Sequence, residues 1–287
     1  MSRIAYVNGR YVRHAEAAVH VEDRGYQFAD GVYEVCEIRH GFIVDITRHL
    51  DRLGRSLSEL EIRWPMERGA LVAVIRETIR RNHVHNGMFY LQATRGVAKR
   101  DHVFPGEDVA PSLVITAKSV NRDAGEARAE KGIAVITVPE NRWERVDIKT
   151  VGLLPNVMAR EAAKRQGAQE ALFLDSDGNV KEGAATNVWI VTKDGTLVTR
   201  PAEHGILRGV TRTTVMDLAA KLGLAVEERS FSLEEARSAR EMFITAATTL
   251  VMPVVSIDGR TIGNGHPGLI APQLRNAFFA VAEKTPA

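Results

Sequence analysis

Hydrophobic positions along the chain follow two periods, one typical of helices and one typical of strands. Leu50, Leu53, Leu57 and Leu60 recur at helical spacing, so Arg48–Leu60 is predicted to be an amphipathic helix. The same spacing predicts further helices at Leu71–Arg81, Leu154–Gln166, Thr211–Leu222 and Leu269–Ala282. Runs of aromatic and β-branched residues predict strands at Met88–Thr94, Ser112–Ala117, Gly132–Val138, Ala171–Asp175, Asn187–Thr192, Thr196–Thr199, Met242–Ala246 and Val254–Ile257.

Two short polar segments, Ser176–Asn179 and Lys193–Gly195, each carry an Asp-Gly pair between predicted strands. Such pairs are typical of β-hairpins, and hairpins mixed with helices predict an α+β fold with largely antiparallel sheets. Residues 121–131 are polar and lack a hydrophobic period, so we predict an interdomain linker there. A small N-terminal domain, residues 1–120, would precede the linker, and a larger C-terminal domain, residues 132–287, would follow it.

Composition is that of an ordinary globular protein, with 45% hydrophobic and 26% charged residues. The 38 Lys and Arg residues nearly balance the 36 Asp and Glu residues, and a net charge of +2 is too small to indicate nucleic-acid binding. The single cysteine, Cys36, excludes an internal disulfide and a zinc site built from cysteines. No segment has the pattern of a signal peptide or the length of a membrane span, so we expect a cytoplasmic protein.

Lys149 and Glu182 are the residues of the second half with the clearest candidate chemistry. Lys149 follows an apolar, β-branched run and precedes a predicted helix, while Glu182 lies on a bend rich in glycine and alanine that leads into a strand. An enzyme that uses pyridoxal phosphate needs a lysine to form an imine and an acid to hold the proton of the pyridine nitrogen. Taken alone, each residue type is more often a solvated surface group.

Three segments could bind the phosphate of such a cofactor. Val210 and Thr211 begin a predicted helix after a glycine, and backbone N–H groups at a helix N-terminus bind phosphate. The small-residue turn at Ala246 and Ala247 ends a strand and could offer further donors. Arg52 lies off the leucine stripe of its helix, where its fork of donors could hold a phosphate. The alternatives are an ordinary loop-to-helix junction, a tight turn and a surface arginine.

Arg100 and His102 lie two positions apart on a segment that follows a predicted strand. On an extended loop they would point the same way and could bind a substrate carboxylate, although a solvated basic loop would have the same composition. Upstream, Glu22–Val35 combines glycines, aromatic residues and acids, which favours a strand beside a pocket.

Together these segments resemble one family, the D-amino acid aminotransferases among the fold-type IV pyridoxal phosphate enzymes. The likeness extends over nearly the whole chain, and the motifs that carry it are Glu22–Phe28, Asp30–Val35, His49–Leu53, Arg100–His102, Asp147–Lys149, Glu182–Gly183, Asn187–Val188, Gly209–Arg212 and Thr245–Pro253. The resemblance implies a two-domain α+β fold, with a smaller N-terminal α/β sandwich and a larger C-terminal domain that is mixed and barrel-like. It also implies a homodimer.

The resemblance further implies a role for each candidate residue. Lys149 would be the Schiff-base lysine, and Glu182 would be the partner of the pyridine nitrogen. The other cofactor-binding residues would be Arg52, Leu207, Val210, Thr211, Ala246 and Ala247. The substrate-binding residues would be Tyr33, Val35, Arg100 and His102, with the last two on a loop from the partner subunit. The chain departs from the family at Ala184, Ala185, Ala246 and Ala247, where hydroxyl residues are frequent.

The activity that the resemblance implies is transamination between a D-amino acid and a 2-oxo acid, with D-alanine and 2-oxoglutarate giving pyruvate and D-glutamate. Alternatives of the same fold are a branched-chain L-amino acid aminotransferase, an (R)-selective amine transaminase and aminodeoxychorismate lyase. Outside enzymology, the chain would be a cofactor-binding regulatory protein without turnover. The Arg-x-His pair favours the D-amino acid branch, and it weighs against the amine transaminase because an amine has no carboxylate to bind.

Overall fold

The computed structural model describes residues 3–203 and 205–287. Its α-helices are α1 (Arg24–Phe28), α2 (Ile46–Glu59), α3 (Arg68–Arg81), α4 (Asp123–Lys131), α5 (Leu154–Arg165), α6 (Val210–Lys221), α7 (Leu233–Ser238) and α8 (Ile270–Ala277). Its strands are β1 (Ile4–Val7), β2 (Arg10–Arg13), β3 (Gly31–Arg39), β4 (Phe42–Val44), β5 (Gly87–Thr94), β6 (Ser112–Ser119), β7 (Ile133–Pro139), β8 (Glu170–Leu174), β9 (Val180–Gly183), β10 (Asn187–Val191), β11 (Leu197–Thr199), β12 (Val226–Glu228), β13 (Glu241–Ala246), β14 (Leu250–Ile257), β15 (Arg260–Thr261) and β16 (Lys284–Pro286). The helices and strands predicted from hydrophobic periods are present with shifted ends, and the sequence did not predict several of the short ones.

The described chain divides into two compact units. Unit 1 comprises the described part of Met1–Asn121 with Ile148–Gly152 and Glu283–Ala287, and unit 2 comprises Arg122–Asp147 and the described part of Leu153–Ala282. Most of the segment predicted as a linker forms α4, which belongs to unit 2. Ala129 is buried in this helix while the residues around it are partly or fully exposed, so its sequence carries too few apolar positions to show a helical period.

Unit 1 is built on a seven-stranded sheet in the order β16-β4-β3-β5-β6-β1-β2, and all neighbouring strands run antiparallel. The strand β3 pairs with the whole of β5, from Gly31 opposite Thr94 to Ile38 opposite Gly87. From Val32 onward, buried and partly exposed residues alternate along β3. Tyr33 and Val35 therefore share one face of the strand, and Glu34 lies on the opposite, buried face.

The core of unit 1 forms where α2 and α3 pack against this sheet. Leu50, Leu53 and Leu57 of the leucine stripe are buried there, and each stabilises the fold by about 2 kcal/mol because its apolar surface leaves water. Glu283 accepts a hydrogen bond from the Thr47 N–H at 3.0 Å and so caps the N-terminus of α2. A residue close to the C-terminal end thus stabilises the helix that carries Arg52.

Unit 2 is built on a nine-stranded sheet in the order β12-β11-β10-β13-β14-β7-β8-β9, with β15 paired to β14. Three neighbouring pairs are parallel, namely β11 with β12, β14 with β7, and β7 with β8, and the other pairs that have a defined register are antiparallel. The prediction of largely antiparallel sheets is correct for unit 1 and only partly correct for unit 2. Parallel neighbours need a crossover connection, and the chain between β7 and β8 contains α5.

Helices of unit 2 pack against its sheet, with α5 on β7 and β8, and with α6 and α8 on β13. Both predicted hairpins are present in this unit. The Asp175 N–H donates to the Asn179 carbonyl oxygen at 3.0 Å, and the Thr192 N–H donates to the Thr196 carbonyl oxygen at 2.9 Å. Across residues 3–203 and 205–287, no helix combines the length and the hydropathy that a bilayer span requires.

Candidate functional site

Lys149 lies on a short segment that runs beside the first residues of β3 in unit 1. The Tyr33 N–H donates to the Lys149 carbonyl oxygen at 3.0 Å, and the Val151 N–H donates to the Gly31 carbonyl oxygen at 3.0 Å. The Lys149 N–H donates to Oγ of Ser56, on α2, at 3.3 Å. The Lys149 Nζ lies 4.1 Å from the centre of the Tyr33 ring. The backbone of Lys149 is therefore fixed, and its amino group lies beside a predicted substrate-binding residue.

The face of β3 that carries Tyr33 and Val35 is extended by two residues of β5 that the sequence did not predict. Gln92 is paired with Tyr33, and Tyr90 is paired with Val35. The Tyr33 and Tyr90 rings stack with centres 5.6 Å apart, and the Tyr90 hydroxyl donates to Gln92 Oε1 at 2.7 Å. Burial raises the pKa of Tyr90 to about 12, so this hydroxyl keeps its proton and remains a donor.

Arg52 is held by a buried carboxylate on the opposite face of β3. Its Nε and Nη2 donate to the two carboxylate oxygens of Glu34, each at 2.7 Å. Nδ1 of the buried His49 lies 2.7 Å from Glu34 Oε2, and because a carboxylate only accepts, Nδ1 carries the proton. The interpretation of Arg52 as a surface arginine is therefore wrong, since its side chain is 10% exposed. The sequence analysis did not identify Glu34 as the partner of Arg52. The position of Glu34 on the core face of β3 was a usable signal, because a buried charge needs a partner of opposite charge.

Charge and burial compete at Glu34. Burial disfavours the ionised carboxylate, but the charge and hydrogen bonds of Arg52, with the hydrogen bond from His49, outweigh that effect and bring the pKa of Glu34 to about 2. Burial lowers the pKa of His49, so the ring is neutral near pH 7 and acts as a hydrogen-bond donor rather than a second cation. Glu34 is therefore an ionised carboxylate that fixes the orientation of Arg52.

The loop that carries Arg100 and His102 is anchored by a second buried ion cluster in unit 1. Asp30 Oδ2 accepts from Arg24 Nε at 2.7 Å and from Arg95 Nε at 2.8 Å. Arg24 also donates through Nη1 to the Asp101 carbonyl oxygen at 2.7 Å, in the middle of the Arg-x-His motif. One buried arginine of α1 thus holds the backbone between the two predicted carboxylate-binding residues.

Phe28 contacts both members of the Arg-x-His pair. The guanidinium carbon of Arg100 lies 4.6 Å from the centre of the Phe28 ring, and the His102 ring centre lies 5.5 Å from it. Both side chains belong to exposed residues, as the interpretation of a loop implies. Arg100 and His102 therefore both contact the Phe28 ring, and no sequence pattern indicated this role for Phe28.

Glu182 is a buried carboxylate of unit 2 and lies on β9. Its Oε1 accepts from Arg142 Nη1 at 2.7 Å, and its Oε2 accepts from the Leu207 N–H at 3.0 Å. Asn187 Nδ2 lies 3.4 Å from Oε2 and donates more closely, at 2.8 Å, to the Leu207 carbonyl oxygen. The predicted residues Glu182 and Leu207 are thus joined directly by a hydrogen bond.

Arg142 links Glu182 to a second carboxylate that the sequence did not single out. Its Nε and Nη2 donate to Glu140 at 2.8 and 2.6 Å, and its guanidinium carbon lies 4.1 Å from the centre of the Phe173 ring. Lys181 Nζ lies 3.0 Å from Glu140 Oε2. Burial opposes the charge of Glu140, but the hydrogen bonds and charge of Arg142 outweigh it and lower the pKa of Glu140 to about 2.

The N-terminus of α6 has the features of an anion-binding site. Gly209 is extended there, with φ −65° and ψ 134°, and no side chain among the described residues caps the helix. A Cβ at Gly209 would clash with Asn187 Oδ1, so a larger residue here would have to displace this buried amide group. The first N–H groups of a helix have no intrahelical acceptor, and here they belong to the predicted residues Val210 and Thr211.

The turn that follows β13 contains a buried hydroxyl without an acceptor or donor among the described residues. The Thr249 N–H donates to the Ala246 carbonyl oxygen at 3.3 Å, which closes the turn that also contains Ala247. Thr249 Oγ1 is buried and has no hydrogen-bond partner in residues 3–203 and 205–287. The hydroxyl and the N–H groups of an uncapped helix N-terminus are all hydrogen-bond donors that need an acceptor. The oxygens of a phosphate dianion, the main form near pH 7, are such acceptors. The residues present in unit 2 therefore fit the phosphate of pyridoxal phosphate.

Comparison with protein families gives a match to amino-transferase class IV over residues 31–257. Among curated proteins, the D-alanine aminotransferase of Staphylococcus haemolyticus is 38% identical over 273 residues, which are 95% of each chain. That of Bacillus licheniformis is 39% identical over 271 residues, 94% of each chain. That of Listeria innocua is 40% identical over 273 residues, 95% of this chain and 93% of the relative.

Solved structures with the same fold include the branched-chain amino acid aminotransferase of Escherichia coli. It is 26% identical with a TM-score of 0.88, and the match covers 98% of this chain and 95% of that one. A T.th. branched-chain amino acid aminotransferase solved with pyridoxamine 5'-phosphate is 27% identical with a TM-score of 0.90, over 97% and 93% of the two chains. The family match and the near-complete relatives agree, and this chain belongs to the class IV aminotransferases.

Proposed function

We propose that this protein is a pyridoxal phosphate-dependent aminotransferase that transfers the amino group of a D-amino acid to a 2-oxo acid. D-alanine and 2-oxoglutarate are the expected substrates, and pyruvate and D-glutamate are the expected products. The D-amino acid preference is supported by the relatives named D-alanine aminotransferase, which match along 94–95% of this chain.

The buried carboxylate of Glu182 is the observation that carries the cofactor assignment. Both of its oxygens accept hydrogen bonds, which fixes its orientation and favours its ionised form. Glu182 would hold a proton on the pyridine nitrogen, and the bound cofactor then supplies an electron sink for the charge that develops on the substrate Cα. Val210, Thr211 and the turn after β13 would bind the phosphate.

Lys149 would attach the cofactor covalently and then act as the base. Its Nζ would take up the proton from Cα of the amino acid, a transfer favoured because base and carbon are held in one complex. The hydrogen bonds of the Lys149 backbone with Tyr33 and Ser56 support this role, since they fix the point from which the side chain extends. Arg52, oriented by Glu34, would donate to the cofactor phosphate.

Tyr33, Arg100 and His102 would bind the α-carboxylate of the substrate, with Val35 on the same face as Tyr33. We propose a homodimer in which the loop of one subunit, with Arg100 and His102, enters the site of its partner. Charge-assisted hydrogen bonds to the carboxylate would fix which face of Cα meets Lys149, and so select the D configuration. The protein is expected to act in the cytoplasm.

The proposal is tested by the visible absorption spectrum of the protein loaded with pyridoxal phosphate. D-alanine, L-leucine and (R)-1-phenylethylamine are added to separate samples, and pyruvate is measured in the first. We expect only D-alanine to abolish the absorption of the lysine-bound cofactor, with formation of pyruvate. Bleaching by L-leucine or by the amine instead would contradict the D-amino acid assignment.

Two lysine variants separate the cofactor assignment from substrate choice. Lys149→Ala should lose the absorption of the lysine-bound cofactor and all turnover with D-alanine. Lys118→Ala, at an exposed position of β6, should keep both. Near-wild-type turnover in Lys149→Ala would refute the role of this lysine.

A further inference from the structure

We propose that Arg142 is a positioning residue that keeps Glu182 ionised and correctly oriented toward the pyridine nitrogen, with Glu140 as its second partner. The inference rests on the proposed function, because it assigns Glu182 to a protonated ring nitrogen. It adds two residues, Arg142 and Glu140, that would never touch the substrate and act through Glu182.

The geometry leaves Arg142 little freedom. One of its terminal nitrogens, Nη1, donates to Glu182 at 2.7 Å, while Nη2 and Nε donate to Glu140 at 2.6 and 2.8 Å. The side chains of Arg142 and Glu182 are 6% and 5% exposed, so water screens this pair weakly. The guanidinium also lies over the Phe173 ring, 4.1 Å from its centre. Two carboxylates and one ring thus define a single orientation of the arginine fork.

The charges around Glu182 explain why two carboxylates share one arginine. The positive charge of Arg142 stabilises the ionised form of Glu182. Without a second carboxylate, the same charge would also repel the protonated pyridine nitrogen. Glu140 offsets part of that positive charge, and Lys181 pairs with Glu140 at 3.0 Å. On the neighbouring strand β8, Glu170 pairs with Arg160 at 3.0 Å, so these two charges offset each other. The arrangement keeps Glu182 anionic without a local excess of positive charge.

The test measures cofactor binding as a function of pH, without substrate. Apo-protein is titrated with pyridoxal phosphate from about pH 5 to about pH 9, and the dissociation constant is determined for wild type, Arg142→Met and Arg142→Lys. In Arg142→Met the buried Glu182 should take up a proton more readily. We therefore expect the acid-side loss of affinity to move upward by about one pH unit or more, and binding at neutral pH to weaken by about tenfold.

Companion variants exclude a purely structural effect. Arg142→Lys keeps the positive charge, so it should restore most of the acid-side affinity. Adding Glu140→Gln to Arg142→Met removes a negative charge near Glu182. The acid-side loss of affinity should then move partly back toward the wild-type pH. Arg200→Met is the control, because it breaks a part-buried pair in the same unit, Arg200 with Asp175 at 2.9 Å. It should leave the pH of the acid-side loss of affinity unchanged.

The outcomes separate this inference from the proposed function. If Arg142→Met weakens binding equally at every pH, or if Arg200→Met produces the same shift, Arg142 only supports the fold and the inference is wrong. A wild-type protein that binds pyridoxal phosphate but does not convert D-alanine would refute the proposed substrate, while the titration would still decide the role of Arg142. Absence of pyridoxal phosphate binding by the wild type would overturn both.

Discussion

Two buried carboxylates, Glu34 in unit 1 and Glu182 in unit 2, each form a close ion pair with an arginine of the same unit. Each accepts from an arginine at 2.7 Å, Glu34 from Arg52 and Glu182 from Arg142. A buried charge is tolerated only with a partner of opposite charge, so removal of Glu34 takes away the carboxylate that Arg52 pairs with, and removal of Arg142 takes away the guanidinium that Glu182 pairs with. Single substitutions at these positions should therefore affect both stability and the orientation of functional groups.

The stability of the apo-protein should depend on Glu34 in acid. Because the folded-state pKa of Glu34, about 2, lies below its ordinary value of 4.5, its stabilisation is present above the ordinary value and is lost as the pH falls toward 2. At about pH 6, Glu34→Gln should lower the free energy of unfolding by on the order of 3 kcal/mol, and at about pH 3 the difference should shrink.

Urea unfolding of both proteins at several pH values measures this difference. Glu59→Gln is a matched control, because Glu59 faces Arg55 at 3.6 Å with 35% of its side chain exposed. An exposed pair of this kind stabilises little, so the control should change unfolding by less than about 1 kcal/mol at any pH. A cost of Glu34→Gln that stays constant with pH would contradict ionisation of Glu34 as the cause.

At the scale of elements, the short helix α1 organises the loop that carries Arg100 and His102. Asp23 caps this helix by accepting from the Gly25 N–H at 2.9 Å, and Phe28 at its end contacts both loop side chains. Arg24 of the same helix holds the Asp101 carbonyl oxygen. The loop is therefore ordered by contacts with α1 rather than by secondary structure of its own.

Loosening this anchor should weaken substrate binding more than catalysis. In Phe28→Leu or Arg24→Met, we expect KM for D-alanine to rise by about tenfold and kcat to change by less than about threefold, because a binding interaction is lost that does not act on the reacting atoms. Steady-state kinetics with D-alanine measure both constants. Phe42→Leu, at an exposed position of β4, should leave both constants near wild type. If kcat falls as much as KM rises in both α1 variants, these residues act in chemistry or folding instead.

At the scale of the whole molecule, the proposed dimer can be tested by mixing two inactive variants. If Arg100 acts in the partner's site, a hybrid of Lys149→Ala and Arg100→Ala subunits has one intact site and one doubly defective site. Equal mixing with subunit exchange should then restore about a quarter of wild-type activity, because half of the dimers are hybrids with one working site each.

The assay uses a low D-alanine concentration, so that Arg100→Ala homodimers contribute little turnover. Mixing under conditions that prevent subunit exchange is the control and should restore nothing. If exchange also restores nothing, Arg100 serves the site of its own subunit, or the protein is not a dimer.

The family and a set of candidate site residues could be predicted from single residues and local motifs. The recognition of the family, the α+β fold and the cofactor are confirmed by the family match and the structural neighbours. Lys149 and Glu182 were found because they lie on local motifs of glycine, alanine and β-branched residues. Their assigned roles remain predictions for the experiments above. Glu140 and Arg142, which lie outside such motifs, were missed, and so was the contact of Phe28 with the Arg-x-His pair, although Phe28 lies in the motif Glu22–Phe28.

The sequence by itself determined the types of the main helices and strands, since hydrophobic period is a local property that each segment carries whatever it packs against. Only the tertiary structure decided the partners of the buried charges, which join residues 18 positions apart in Arg52 with Glu34 and 40 apart in Arg142 with Glu182. It also decided that the Lys149 segment and the C-terminal strand β16 belong to unit 1. Such pairings depend on which surfaces the whole chain buries together, and no short window of sequence contains that information.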